Sequence, residues 1–215
     1  MSLPESATVS FASVHWRKLN MPAQPVIYSA GREHYRADTC APVVAAAQAG
    51  AIDYAAVVHG AYPGLILPVG MLPELRNAGC WDIPRPQAWG LDWHRNEGIE
   101  FTFLASGQLD FSAEDRSFAL RPGDLTITRP WQRHRLGQPH VGASRLIWLI
   151  LDVGVRRPNQ NWTWPAWLVL TREERSRLST LLRQNEQPVW RADAHIADAF
   201  QCIARTAETA AEGFD

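Results

Sequence analysis

The chain lacks an excess of positive charge, and it is nearly devoid of lysine. Its 21 basic residues are balanced by 22 acidic ones, so the formal net charge is −1. Lys18 is the only lysine, and the other basic residues are arginines. Because binding to nucleic-acid phosphates needs clustered positive charge, the composition argues against these residues wrapping DNA or RNA by themselves.

Cysteine and long apolar runs are also scarce. Cys40, Cys80 and Cys202 are far apart and form no CxxC pair, which excludes a zinc knuckle and a dithiol redox pair. We expect free thiols in a reducing cytoplasm. No apolar run approaches the ~18 residues of a membrane span, so we expect no membrane partner. A glycine-rich phosphate loop and a nucleophile elbow are absent from the sequence as well.

The remaining sequence divides into three regions by its pattern. Residues 1–25 carry three prolines and little periodicity, which predicts a loose N-terminal arm with one edge strand near Val9–Ala12. Residues 26–156 are rich in alternating runs that are typical of strands. Residues 157–215 begin as a loop with two prolines and three tryptophans and then show helical spacing.

The middle region begins with a short helix and continues as a predicted barrel. Asp38–Gly50 predicts the helix, with Asp38 as its cap, and Ile52–His59 predicts a strand. Tyr62–Gly90 contains five prolines and four glycines, which predicts a long irregular connection. Alternation then predicts the barrel strands, near Gly90–His94, Gly98–Leu104, Gln108–Ser112, Ser117–Leu120, Asp124–Arg129 and Arg145–Val153.

Two amphipathic helices are predicted at the C-terminal end. Thr171 and Glu174 have the spacing of a capping box, and a second helix is expected after Asp193. Their apolar positions need a partner surface, which is either the barrel itself or a second subunit. We expect a homodimer whose contact residues are Leu178, Leu181, Leu182, Ile196 and Phe200.

The candidate site lies between His94 and His134. His94, Asn96, Glu100 and Gly107 have the spacing His-x-Asn-x3-Glu-x6-Gly, and His134 closes a Pro-x3-His segment. This arrangement resembles the two motifs of the cupin superfamily, in which two His and a Glu of the first motif join a His of the second on one divalent metal. Asn96 stands where the second His is expected, and the segment from Pro130 to His134 is one residue short of the family pattern.

The resemblance leaves two interpretations of these polar groups. His94, Glu100 and His134 could hold a divalent transition metal with open positions. Alternatively, they hydrogen-bond to each other or to an organic ligand. We favour the second interpretation and expect no cofactor, because the loss of a His ligand weakens a metal site. The predicted ligand-binding set adds the neighbouring aromatic and basic side chains, and comprises Trp93, His94, Asn96, Glu100, Trp131, Arg133 and His134.

A more specific resemblance covers roughly His94 to Phe200. The segments Leu120–Leu125 and Arg129–Arg135, followed by two helices, resemble the sensor half of AraC-type transcription regulators. The resemblance implies a mainly β fold, a cupin-like (double-stranded β-helix) barrel followed by two C-terminal α-helices. It also implies a dimer that binds a small effector, such as a sugar, in the barrel and does not act as an enzyme.

No helix-turn-helix segment is present in these 215 residues, so DNA contact is expected only through a C-terminal domain outside this chain. Two other functions remain open. One is a metal-dependent cupin enzyme, an isomerase or a dioxygenase. The other is a small binding protein with neither catalysis nor a DNA-binding domain.

Overall fold

The computed structural model describes residues 24–212, which form two β-sheets, a β-hairpin and three helices. The predicted arm and its edge strand at Val9–Ala12 fall almost entirely outside the described residues. Within those residues, no helix is long and apolar enough to cross a membrane. The strands are β1 (Ile27–Ala30), β2 (Glu33–Arg36), β3 (Asp53–Val58), β4 (Leu65–Ile66), β5 (Leu75–Ile83), β6 (Leu91–His94), β7 (Ile99–Gly107), β8 (Leu109–Ala113), β9 (Arg116–Leu120), β10 (Asp124–Thr128), β11 (His134–Leu136), β12 (Ser144–Leu151) and β13 (Val189–Arg191).

The larger sheet has seven strands in the order β13-β10-β7-β12-β5-β3-β4, antiparallel except for the short β3–β4 pair. The smaller sheet has the order β6-β11-β8-β9. The two sheets are not hydrogen-bonded into one closed barrel. The main core contains side chains of both sheets, among them Leu104 and Leu146 of the larger sheet and Phe111 and Leu120 of the smaller one.

Strand β12 lies at the centre of the larger sheet, as its doubly apolar sequence predicts. Leu146 and Trp148 belong to the core shared with the smaller sheet, whereas Ile147 between them packs with α3 (Ala194–Glu212). On that side, Phe200 of α3 stacks on Phe103 with ring centroids 5.5 Å apart. The larger sheet is therefore covered on both faces.

The two C-terminal helices form where the sequence predicts them. α2 (Arg172–Arg183) begins with the expected capping box, in which the Thr171 hydroxyl accepts the Glu174 N–H and the Glu174 carboxylate accepts the Thr171 N–H. The Asp193 carboxylate accepts the Ile196 N–H at the start of α3. The predicted fold class is confirmed: a mainly β cupin-type fold followed by two α-helices.

Several local predictions were wrong. α1 (Ala41–Gln48) is preceded by Cys40 in a left-handed conformation, so Asp38 does not cap it. The connection Tyr62–Gly90 is not irregular throughout, because it contains the nine-residue strand β5. The β1–β2 hairpin and strands β11 and β13 were not predicted either. Strand β5 was missed because its flanking prolines dominate the pattern, although none lies within it.

Candidate metal centre

Three potential metal ligands converge where the edge of the smaller sheet meets β7. His94 ends β6 and His134 begins β11, and the two residues pair across the antiparallel ladder. Glu100 lies on β7 of the larger sheet. One ligand atom from each of the three residues lies within 4.8 Å of the others. The structure therefore brings together the three residues that the motif spacing selected.

Both imidazoles are held by backbone carbonyls through the same ring atom. His94 Nδ1 lies 2.6 Å from the Asp92 carbonyl oxygen, and His134 Nδ1 lies 2.9 Å from that of Gln132. A carbonyl only accepts, so each Nδ1 carries the proton and donates it. In a neutral imidazole this leaves the Nε2 lone pair free, the arrangement found in metal-ligating histidines.

The contact between His134 and Glu100 tests whether these residues fit a cation. His134 Nε2 is 2.8 Å from Glu100 Oε2, yet it is a buried nitrogen without an aligned hydrogen bond in the described structure. A nitrogen lone pair and a carboxylate so close together repel each other unless a proton or a metal ion lies between them. The two atoms are close but are not aligned for a linear hydrogen bond. This geometry fits two ligands of one metal ion better than it fits a hydrogen-bonded pair.

The charge states of the three groups are set by burial and by one another. Burial and the neighbouring His134 lower the pKa of His94 to about 4, so its ring is neutral at pH 7. Burial favours the neutral form of His134, but the Glu100 carboxylate outweighs it and raises the pKa of His134. Burial also acts against ionisation of Glu100, but His134, His94 and Asn96 lower its pKa. The site therefore combines the Glu100 carboxylate with one neutral imidazole, that of His94, and with a second, that of His134, whose protonated form the carboxylate favours.

Asn96 positions Glu100. Its side-chain amide nitrogen donates to Glu100 Oε2 at 2.9 Å, the same oxygen that faces His134. The Tyr62 hydroxyl lies 3.3 Å from Asn96 Oδ1 and donates to Glu97 at 2.5 Å. Tyr62 and Glu97 are buried parts of the site that the sequence analysis missed. No motif marks Tyr62, since it reaches the site from more than thirty residues away.

The cavity beside these residues is small. It measures about 40 Å³, and its walls include Tyr54, Trp81 and Trp148 together with His94 and Glu100. Pockets that hold drug-sized ligands have volumes of roughly 300–1,000 Å³. A sugar therefore has no room in this interior, whereas a few water-sized groups do.

The other predicted ligand-binding residues lie away from this cavity. Trp93 is covered by two guanidinium groups, those of Arg133 at 4.2 Å and Arg135 at 4.7 Å from its ring centroid. Trp131 is buried, and its indole N–H donates to the Val155 carbonyl at 2.7 Å. Of the predicted set, the structure therefore groups His94, Asn96, Glu100 and His134, and it places Trp93, Trp131 and Arg133 elsewhere.

The five residues predicted for dimerisation differ in their exposure to solvent. Leu182 and Phe200 are buried within the chain, and Leu178 is half-buried in the same cluster as Leu182. Leu181 on α2 is 63% exposed, and Ile196 on α3 is exposed as well. Leu182 and Phe200 thus pack the helices onto the sheet region, which leaves Leu181 and Ile196 available to a partner.

Comparison with known proteins identifies the fold of the central segment. Residues 84–150, which include all three candidate ligands, match the family model of the Cupin domain. No curated protein matches the chain.

Similar solved structures include a conserved protein of unknown function from Streptococcus pyogenes, with 14% identity, a TM-score of 0.30, and coverage of 34% of this chain and 60% of that one. Another, from Ralstonia eutropha, is assigned as a mannose-6-phosphate isomerase, with 15% identity, a TM-score of 0.34, and coverage of 47% and 84%. A third is a variant of Bacillus subtilis oxalate decarboxylase, with 18% identity, a TM-score of 0.27, and coverage of 53% and 33%. This chain thus spans less than two thirds of the first and third.

These matches correct one prediction. The expectation that the chain is not an enzyme is contradicted, because the structures similar to it include an oxalate decarboxylase and a protein assigned as an isomerase. The AraC-type resemblance has no counterpart among the similar structures described above. The chain has a mainly β cupin fold, and residues 84–150 within it match the Cupin domain.

Proposed function

We propose that this chain is a metal-dependent cupin in which His94, Glu100 and His134 hold one divalent transition metal. The observation that carries the proposal is the shared orientation of the ligands. Both Nδ1 atoms bind backbone carbonyls, which leaves the Nε2 atoms as the possible ligand atoms, and one ligand atom of each residue lies within 4.8 Å of the other two. Two imidazoles and a carboxylate are the ligand set of non-haem Fe(II) oxygenases. A dioxygenase and an isomerase are therefore the two candidate activities of this centre.

The residues around this centre would orient the metal ligands and limit the size of a bound substrate group. Three protein ligands leave open positions, where a bound metal polarises a water or substrate oxygen. Asn96 holds the Glu100 carboxylate in place, and the neutral His94 ring keeps its lone pair available. The cavity of about 40 Å³ admits only a few atoms of a substrate, so the reacting group must be small.

Metal analysis of the purified protein tests this function. We expect one Fe, Mn or Zn ion per chain after reconstitution, measured by elemental analysis and by titration with Co²⁺, whose absorption reports the ligand geometry. His134→Ala and Glu100→Ala should abolish stoichiometric binding, because each removes a ligand. Asn96→Ala should weaken it by about 10–100-fold, as loss of a ligand-orienting group does.

His140→Ala is the matched control, since His140 is exposed and lies outside the cluster. It should bind metal as the unchanged protein does. Metal-free protein after reconstitution, or binding that survives both ligand substitutions, would contradict the proposal. Circular dichroism of each variant separates loss of metal from loss of fold.

A second candidate is the effector-sensing and dimerisation half of an AraC-type regulator. It is supported by the order of the elements, in which two helices follow the cupin domain, and by the exposed Leu181 and Ile196 on those helices. In this function the chain forms a homodimer, and DNA is bound by a domain outside these residues. The three free cysteines agree with a reducing cytoplasm as its location.

A further inference from the structure

A second cavity lies outside the core between the sheets. It has a volume of about 540 Å³ and opens between the β1–β2 hairpin, the loop from β10 to β11, the loop after β12 and the end of α2. None of the three candidate metal ligands lines it. Its volume lies within the usual range for pockets that hold small organic ligands. We refer to it as the arginine pocket.

The walls of the arginine pocket are strongly basic. Four arginines line it, Arg95, Arg129, Arg157 and Arg183, against one acidic residue, Glu114. Glu114 accepts the backbone N–H of Arg133, and Arg129 pairs with Glu186. Within residues 24–212, no ion pair engages Arg95, Arg157 or Arg183. A chain of net charge −1 thus concentrates uncompensated guanidinium groups in one concavity.

Aromatic rings form the other part of the walls. Tyr28 and Trp131 lie with ring centroids 5.4 Å apart, and Trp162 lines the same cavity. Trp131 has a left-handed backbone with φ of 66°, and its indole N–H is bonded to the Val155 carbonyl. The ring is therefore fixed before any ligand arrives. Fixed aromatic faces bind flat apolar groups at a low entropic cost.

The charge of residues 1–23 does not complement the basic walls of the arginine pocket. Residues 1–23 contain one acidic residue, Glu5, and two basic ones, Arg17 and Lys18. A segment with this balance does not neutralise several arginines. The complementary ligand must bring its own negative charge.

We propose that the arginine pocket is a second ligand site, which binds a small organic anion whose carboxylate or phosphate is attached to a flat ring. The guanidinium groups of Arg157 and Arg183 bind the anionic group through charge-assisted hydrogen bonds. The ring lies against Tyr28, Trp131 and Trp162. Arg95, which sits 4.4 Å above the Tyr35 ring, adds positive charge at the rim.

Calorimetric titration with matched probes tests this site on the full chain. The probes are benzoate and AMP, with benzamide and adenosine as their uncharged counterparts and inorganic phosphate as the anion without a ring. We expect saturable binding of benzoate, AMP or both, and at least about tenfold weaker binding of the uncharged counterpart and of phosphate. Benzoate and AMP distinguish a carboxylate ligand from a phosphate ligand.

Substitutions then locate the binding. Arg157→Gln and Arg183→Gln should each lower the affinity for the probe by about tenfold, because each removes a charged donor. Both residues are exposed, so the fold should tolerate the change. Arg85→Gln is the matched control, an exposed arginine outside the pocket, and should leave affinity unchanged.

Absence of binding by both anionic probes at millimolar concentration would overturn the proposal. Equal binding of charged and uncharged probes, or affinity that Arg157→Gln and Arg183→Gln leave unchanged, would also overturn it. The titration is repeated with Glu100→Ala, in which anion binding should persist. This result keeps the test of the arginine pocket separate from that of the metal centre.

Discussion

At the scale of single residues, Asp152 is the most heavily bonded carboxylate of the described structure. It follows β12, is buried, and accepts hydrogen bonds from Arg76, Arg156 and the Gly154 N–H. Burial opposes its ionisation, but the bonds from Arg156 and Arg76 outweigh burial and lower the pKa of Asp152. The charged form of this side chain therefore ties β5 to the loop after β12.

We expect Asp152→Asn to lower the free energy of unfolding at pH 7 by about 3 kcal/mol, because it leaves two arginines without their shared counter-charge. A carboxylate with a depressed folded pKa contributes stability above its unfolded pKa of about 3.9 and loses it as pH falls through the folded value. The difference between the two proteins should therefore shrink in acid. Urea denaturation at several pH values measures it.

Asp115→Asn, at an exposed aspartate, is the control and should change stability by no more than about 0.5 kcal/mol. A difference between Asp152→Asn and the unchanged protein that stays constant down to pH 2 would contradict this account of Asp152.

The residue-level site could be predicted only where a motif marks it. The spacing of His94, Glu100 and His134 selected three side chains that the structure brings together. Tyr62 and Glu97 could not be found, because their role depends on contacts between distant segments. Trp131 was assigned to the ligand site from its position near His134, but its left-handed backbone places it in the wall of a different cavity.

At the scale of elements, period-two alternation located six strands, β6 to β10 and β12, to within three residues of their observed ends, but it did not find the three-residue β11. It failed for β5, whose two faces are both largely buried and show no alternation. Gly79, a residue type that is rare in strands, also argued against a strand here. The structure requires a glycine at this position because β3 lies close to it. A Cβ atom there would lie 2.3 Å from the Ala55 carbonyl oxygen of β3.

Gly79→Ala should therefore destabilise the sheet by about 1–3 kcal/mol, because the added methyl group forces β3 and β5 apart. Thermal unfolding followed by circular dichroism measures the change. Ser106→Ala, at an exposed position of β7, provides the control and should have little effect. If Gly79→Ala unfolds at the same temperature as the unchanged protein, the β3–β5 contact is not as rigid as the structure indicates.

At the scale of the whole molecule, the arginine pocket could not be predicted from the sequence. The arginines of the arginine pocket come from positions between 95 and 183, and no spacing rule connects them. Their grouping depends on how the hairpin, the loops and α2 pack around the cupin domain. The sequence thus predicted the architecture and selected the three residues of the candidate metal centre, although the interpretation without metal was favoured, whereas the arginine pocket emerges only from the tertiary arrangement.

The exposed Leu181 on α2 bears on whether the whole molecule forms a dimer. If α2 carries a dimer contact, Leu181→Asp should convert a dimer to a monomer in light-scattering chromatography, because it puts a charge into an apolar interface. Val69→Asp, at a fully exposed apolar residue outside α2, should leave the dimer intact. An unchanged protein that elutes as a monomer at tens of micromolar would contradict a stable homodimer.

The short segment from Trp131 to His134 joins the arginine pocket to the candidate metal centre. Trp131 and Gln132 line the arginine pocket, and the Gln132 carbonyl holds the His134 ring. Adding or deleting one residue here would shift the aromatic wall and rotate the imidazole together. The segment can accept changes of side chain at its solvent-facing positions, but its length is fixed by the arginine pocket and the metal centre at once.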